Sequence, residues 1–188
     1  MPLPLEDVHA RARRVRLLLL DVDGVLTDGS VAIRSSRDES KSFFIRDGAA
    51  LVWARREGLA VGLLSGRSSA ATSRRAAELG ITIVVQGGPD KRHGYAGILA
   101  SNGFSDDEVA YMGDDLMDLP ILARAGLSTS PADAVEEVRA RVHWVSRAPG
   151  GRGAVRDLVE LVLRARGRWD DVVQRHLSPE TSDAFRPS

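Results

Sequence analysis

The stretch Val15-Arg16-Leu17-Leu18-Leu19-Leu20-Asp21-Val22-Asp23-Gly24-Val25-Leu26-Thr27-Asp28 decides the fold class. A short apolar run ends abruptly in two carboxylates and a glycine, which reads as a buried strand delivering polar groups at its C-terminal end. Period-two alternation puts Asp21 and Asp23 on the same side of the strand end, with Val22 turned away. Carboxylates this close repel and raise each other's pKa unless a cation lies between them, and Mg2+ suits that need as a hard ion with oxygen ligands. Taken alone, the pattern also suits a polar strand-to-loop turn in which Gly24 supplies φ > 0.

Outward from this point, short apolar runs alternate with amphipathic stretches, the rhythm of βαβ units around a parallel sheet. Strands are expected at Val15–Leu20, Leu59–Leu64, Ile81–Val85, Glu108–Met112, Gly126–Thr129 and Val142–Val145. Helices are expected at Ala49–Glu57, Ser68–Leu79, Lys91–Asn102, Leu116–Ala125, Ala132–Ala140 and Val155–Arg164, with Gly58, Gly80 and Gly103 as stops. The segment Thr27–Ile45 departs from this rhythm: Ser30–Arg34 and Lys41–Ile45 flank the polar tip SSRDE, as in a β-hairpin. Residues 1–14 read as an N-terminal arm. Residues 168–188 read as a polar tail with a short helical piece followed by disorder.

Composition narrows the function. The 188-residue chain suits one domain with a sizeable core, 43% of it hydrophobic. Lys plus Arg equals Asp plus Glu at 26 each, which leaves no overall field for nucleic acid or a membrane surface. Cysteine is absent, excluding disulfides, thiolate chemistry and Cys-ligated zinc. No apolar h-region precedes Val15 and no run is long enough to span a bilayer, so a soluble, cytoplasmic protein is expected. His9, His93, His143 and His176 show no metal-ligand spacing.

Further polar elements follow the other strands. Gly113-Asp114-Asp115-Leu116-Met117-Asp118 sets carboxylates where a strand ends, a costly grouping without a metal, although Asp114 or Asp115 would also cap a helix. Leu64-Ser65-Gly66-Arg67 offers a hydroxyl and a helix start to an anion, and Arg67 adds a planar fork; Ser65 would serve equally as an ordinary cap. Asp90-Lys91 opens a helix, with Lys91 either a point charge for phosphate or a solvated residue. All of these lie where a strand gives way to a helix or loop, the rim on which open α/β sheets bind ligands.

In that order, these elements resemble the haloacid dehalogenase superfamily of phosphohydrolases, and within it the 3-deoxy-D-manno-octulosonate 8-phosphate phosphatases. The resemblance runs over Leu17 to Arg166 through DVDGVLTDG (21–29), FFIRDGAAL (43–51), LLSGR (63–67), LGITIVVQGGPDK (79–91), YMGDDLMDLP (111–120) and GGRGAVRDLVELVL (150–163). It implies a Rossmann-like three-layer α/β sandwich over 15–167, with the hairpin (27–45) inserted after the first strand and no large cap domain. Asp21 is implied as the nucleophile forming an aspartyl-phosphate and Asp23 as general acid, then base. Mg2+ is implied on the Asp21 carboxylate, the Asp23 backbone carbonyl and Asp114, supported by Asp115 and Asp118. Ser65, Gly66 and Lys91 would bind the phosphoryl group. Arg46, Asp47 and Arg67 would contact the sugar acid.

The resemblance further implies a homotetramer built by the hairpin, with a tail at 148–153 reaching a neighbouring subunit's site through Arg152. Arg152 alone would read as an exposed residue in a glycine loop. The implied reaction is hydrolysis of a sugar-acid phosphate in lipopolysaccharide precursor synthesis. The alternatives are an N-acylneuraminate or deaminated-neuraminate 9-phosphate substrate, or a non-catalytic oligomerisation domain.

Overall fold

A computed structural model describes residues 2–33, 39–88 and 90–177. In chain order the elements are α1 (Leu5–Ala12), β1 (Leu17–Leu20), β2 (Ala32–Ile33), β3 (Glu39–Ser40), α2 (Ile45–Arg56), β4 (Ala60–Ser65), α3 (Ala70–Glu78), β5 (Ile83–Gln86) and α4 (Lys91–Asn102). They continue with β6 (Val109–Met112), α5 (Leu119–Leu122), β7 (Leu127–Ser130), α6 (Glu136–Arg139), β8 (Trp144–Val145), α7 (Ala154–Ala165) and α8 (Trp169–Leu177).

A six-stranded parallel sheet runs in the order β5-β4-β1-β6-β7-β8. The strand that opens the sequence argument lies inside the sheet because it is apolar on both faces. Leu18 and Leu20 pack with Leu51, Val159 and Val162 of α2 and α7, whereas Leu17 and Leu19 pack with Tyr95, Ile98 and Ile121 of α4 and α5. Helices therefore cover both faces, giving the expected three-layer α/β sandwich. Strands leave β1 to both sides, so the crevice beyond its C-terminal end is the place where ligands bind in such sheets.

Several boundaries differ from the sequence expectation. The supposed N-terminal arm contains α1, whose Val8 and Ala12 are fully buried in the core. Beyond Gly167, α8 buries Trp169 and Val172; Trp169 meets Trp53 edge-on at 6.0 Å between ring centroids. The buried carboxylate of Glu57 accepts hydrogen bonds from Arg168, at 2.9 Å, and Arg175. Residues 178–188, the remainder of the expected tail, lie outside the described residues.

The hairpin is present as the antiparallel pair β2–β3, with Ala32 opposite Ser40. Its second strand falls earlier than expected, and most of the tip lies outside the described residues. Ile45, expected to end that strand, instead opens α2, four residues ahead of the expected helix start. The buried face Asp47, Ala50, Leu51 and Ala54 keeps helical spacing back through Gly48. Gly48 is tolerated there because the Arg75 guanidinium occupies the space a Cβ would need, 2.1 Å away. The helix expected over Leu116–Ala125 divides into a 3-10 turn at Leu116–Asp118 and α5, because Asp115 and Asp118 cap one another's backbone. The expected helix at Ala132–Ala140 shortens to α6.

Candidate active site

Asp21 follows β1, Ser65 ends β4, Lys91 opens α4 beyond β5, and Asp114 follows β6. Parallel pairing of these strands in register carries all of them to one end of the sheet. They line a cleft of about 340 Å³ together with Asp23, Gly29, Gly66, Arg67, Gly88, Asp115, Met117 and Asp118.

Lys91 is the central cation. Its Nζ lies 2.8 Å from Asp21 Oδ2 and 2.7 Å from Asp118 Oδ1. Burial works against the ammonium, but the Asp21 and Asp118 carboxylates outweigh it and hold Lys91 above its ordinary pKa. Asp118 is fully buried and accepts from Lys91, from the Tyr111 hydroxyl at 2.6 Å, and from the Asp114 and Asp115 backbone N–H groups at 3.0 and 3.3 Å. It supports the site, and Asp115 caps the following turn through Leu116 N–H at 2.7 Å.

Carboxylate oxygens of Asp21, Asp114 and Asp118 lie within 4.8 Å of one another. Burial, with the Asp118 charge beside it, pushes Asp21 up to about 6 even against Lys91. Burial, then Asp21 and Asp118, push Asp114 up to about 8. A cluster that would otherwise hold a proton near neutrality is suited to a divalent cation, and its oxygen-only donors fit Mg2+. The backbone makes the room: a Cβ on Gly24, where φ is +82°, would lie 2.0 Å from Asp114 Oδ2.

Asp23 lines the cleft with Asp21, as expected. Its carboxylate turns from the acidic cluster toward Lys41 Nζ, 2.5 Å from Oδ1, with Arg67 Nε 4.0 Å from Oδ2. Oδ2 is buried without a hydrogen bond among the described residues. The expected metal set takes only the backbone carbonyl of Asp23, and its carboxylate is indeed not one of the clustered three, which are Asp21, Asp114 and Asp118. Ser65 is buried, and its Oγ accepts from Arg67 N–H at 3.2 Å.

Two expected substrate contacts, Arg46 and Asp47, do not line this cleft. Arg46 is exposed with its guanidinium over the Phe44 ring. Asp47 is buried and engaged by the N-terminus of α7, accepting from Gly153 N–H at 3.1 Å and Arg156 N–H at 2.8 Å. Residues 148–153 form an internal loop between β8 and α7, packed on the chain's own residues 24–28, and Arg152, expected to reach a neighbouring subunit's site, is exposed on the surface of its own chain. The sequence reading missed Lys41 and Tyr111. Lys41 is a single cation in a hairpin and carries no pattern; Tyr111, a hydroxyl in an otherwise apolar strand, signalled a buried partner.

Comparison with known proteins identifies the family. Residues 67–153 match the haloacid dehalogenase-like hydrolase family. The chain is 40% identical to the 3-deoxy-D-manno-octulosonate 8-phosphate phosphatase of Escherichia coli strain K12 over 165 residues, 88% of each chain. The crystal structure of the Yersinia pestis enzyme of that name superposes with a TM-score of 0.86 at 39% identity, covering 88% of this chain and 89% of that one. The Moraxella catarrhalis enzyme, solved in complex with magnesium ion, phosphate ion and a KDO molecule, gives 0.90 at 35% identity over 92% of this chain and 99% of that one. The chain therefore belongs to the 3-deoxy-D-manno-octulosonate 8-phosphate phosphatase family of haloacid dehalogenase-like hydrolases.

Proposed function

We propose that the protein is a Mg2+-dependent phosphatase that converts 3-deoxy-D-manno-octulosonate 8-phosphate into 3-deoxy-D-manno-octulosonate and phosphate, a step in lipopolysaccharide precursor synthesis. The observation that carries this reading is the Asp21–Lys91–Asp118 constellation beside Asp114, in a chain 40% identical over most of its length to enzymes of that activity.

Asp21 attacks phosphorus from the floor of the cleft, and the bond from phosphorus to the sugar oxygen breaks. Asp23, at the mouth, delivers its proton to that oxygen as the sugar leaves. It then takes a proton from the water that opens the aspartyl-phosphate, returning Asp21 and releasing phosphate. Ser65 and Lys91 hold the phosphoryl oxygens, and Lys91 keeps Asp21 oriented through its 2.8 Å contact. Asp21, Asp114 and the Asp23 backbone carbonyl would hold Mg2+, which would supply neutralisation of the charge gathered on the transferred group. The general acid matters: an aspartate at position 23 favours hydrolysis over a stable phosphoryl-enzyme. Arg67 stands at the cleft mouth, where it would meet the sugar carboxylate.

A homotetramer assembled through the β2–β3 hairpin and a cytoplasmic location complete the reading. Among the described residues no helix is long and apolar enough to cross a membrane.

The test is phosphate release by the purified protein with Mg2+, comparing the octulosonate 8-phosphate with N-acylneuraminate 9-phosphate. The expected result is a higher kcat/KM for the first. A preference for the nine-carbon ester would move the substrate, and no release from any phosphate ester would leave the oligomerisation-domain reading in its place.

A further inference from the structure

Asp47 and the 150–153 loop lie outside the cleft, yet they touch each other and, through a continuous run of backbone, touch the cleft. Asp47 is 1% exposed and bonds across from α2 to the first N–H groups of α7. The N-cap position of α7 is Gly153, which has no side chain to serve those groups, so the cap is supplied from another helix. Ahead of Gly153 the loop lies flat on the turn that follows β1. Gly151 N–H donates to Val25 O at 2.8 Å. A Cβ on Gly150 would lie 1.8 Å from Gly24 O, and one on Gly151 2.5 Å from the Thr27 carbonyl carbon. On its other side the Gly24 turn presses on Asp114, with no space for a Cβ between them. Gly150 N–H donates to Asp133 Oδ1 at 2.8 Å, and Val135 N–H to Asp114 O at 3.0 Å, so the same segment is tied to the Asp114 backbone from behind.

We propose that Asp47 is a positioning residue for metal binding: by fixing the 150–153 loop it sets the height of the Gly24 turn, and that turn sets where Asp114 stands relative to Asp21. From Asp47 through the loop to the Gly24 turn the contacts are a buried charge against N–H groups and backbone against backbone, and the turn then meets the Asp114 carboxylate itself, so displacement at one end is passed to the other. The IRDG and GGRG segments thereby act together inside one subunit. The inference rests on the proposed reading that Asp21 and Asp114 hold Mg2+.

The test measures metal affinity directly, by titration calorimetry with Mg2+ and by electron paramagnetic resonance with Mn2+, on the full chain and on Asp47→Ala, Asp47→Asn and Gly150→Ala. Unfolding in urea, followed in metal-free buffer, shows that each variant is folded. The expected result is a rise in Kd on the order of tenfold or more for Asp47→Ala and Gly150→Ala, in the range of outer-shell ligand losses. A smaller rise is expected for Asp47→Asn, which keeps one acceptor oxygen. The double variant should fall short of the product of the two single effects, because both act through one loop. Unchanged metal Kd in either folded variant overturns the inference; should Asp47→Ala not fold, Gly150→Ala decides it. A wild-type chain that binds no metal would instead overturn the functional reading on which it rests.

Discussion

Lys91 Nζ bridges Asp21 and Asp118 while the Tyr111 hydroxyl closes on Asp118 from below, so one buried ammonium answers two carboxylates. Replacing Asp21 by Asn leaves this packing almost unchanged in shape but removes the proposed nucleophile. Phosphate release by Asp21→Asn should fall below detection with the fold intact, and turnover by a freshly prepared variant free of deamidation would contradict the assignment. Asp23→Asn should lower turnover by about 10²–10⁴, the usual contribution of a general acid. Burial, then the Asp21 and Asp118 charges, push Asp114 up to about 8, a cost that a divalent cation would offset. Mg2+ at a hundredfold excess over its Kd should therefore stabilise the protein by about 2.7 kcal/mol, several degrees in Tm. In Asp114→Ala that rise should vanish. An equal rise in the variant, read by calorimetric scanning, would place the ion elsewhere.

At the level of elements, β7 and β8 are joined by more than ladder bonds. His143 Nδ1 accepts the Ser128 N–H at 3.0 Å, which only a neutral ring can do. Burial, then the Arg11 charge, hold its pKa below 6.5. The unfolded chain thus binds the extra proton first: this stability is fully present above pH 6.5 and is lost as pH falls toward the folded value. In His143→Asn the slope of stability against pH just below 6.5 should flatten; an unchanged slope, from urea midpoints across that range, would show that the ring does not titrate as its surroundings require. These elements also show what a single sequence reveals. Asp21, Ser65, Lys91 and Asp114 were legible because strand ends in a parallel sheet fall at one rim whatever the details. α4 was legible to the residue, since Asp90 caps it and Gly103, at φ +68°, stops it. Asp47 was not, because a buried carboxylate in a first helical turn looks the same whether it faces substrate or another helix's N-terminus. α1 was hidden for a different reason: its surface is mostly charged, and only Val8 and Ala12 declare the core; the helical piece expected after Gly167 is α8, whose docking through Trp169 and Val172 was not legible.

Considering the whole molecule, the β2–β3 ribbon stands apart from the six-stranded sheet, and a short two-stranded pair is marginal alone in water. In the proposed tetramer, assembly through it would give its edges partners, and sedimentation equilibrium is then expected to report about four times 20.3 kDa. Deleting 34–38 should yield smaller species with poor activity; a monomer of full activity would remove the hairpin from the account. The strand order has one more consequence, in time rather than in space. Asp21 and Asp114 become neighbours only when β1 has paired with β6, a contact between distant parts of the chain that is slow to form. The metal site is thus a late product of folding and cannot nucleate it. In stopped-flow experiments Mg2+ should slow unfolding and leave the refolding rate where it was, because the ion binds what the transition state has not yet built. A refolding arm that quickens with Mg2+ would mean that the acidic strand ends meet before the sheet closes.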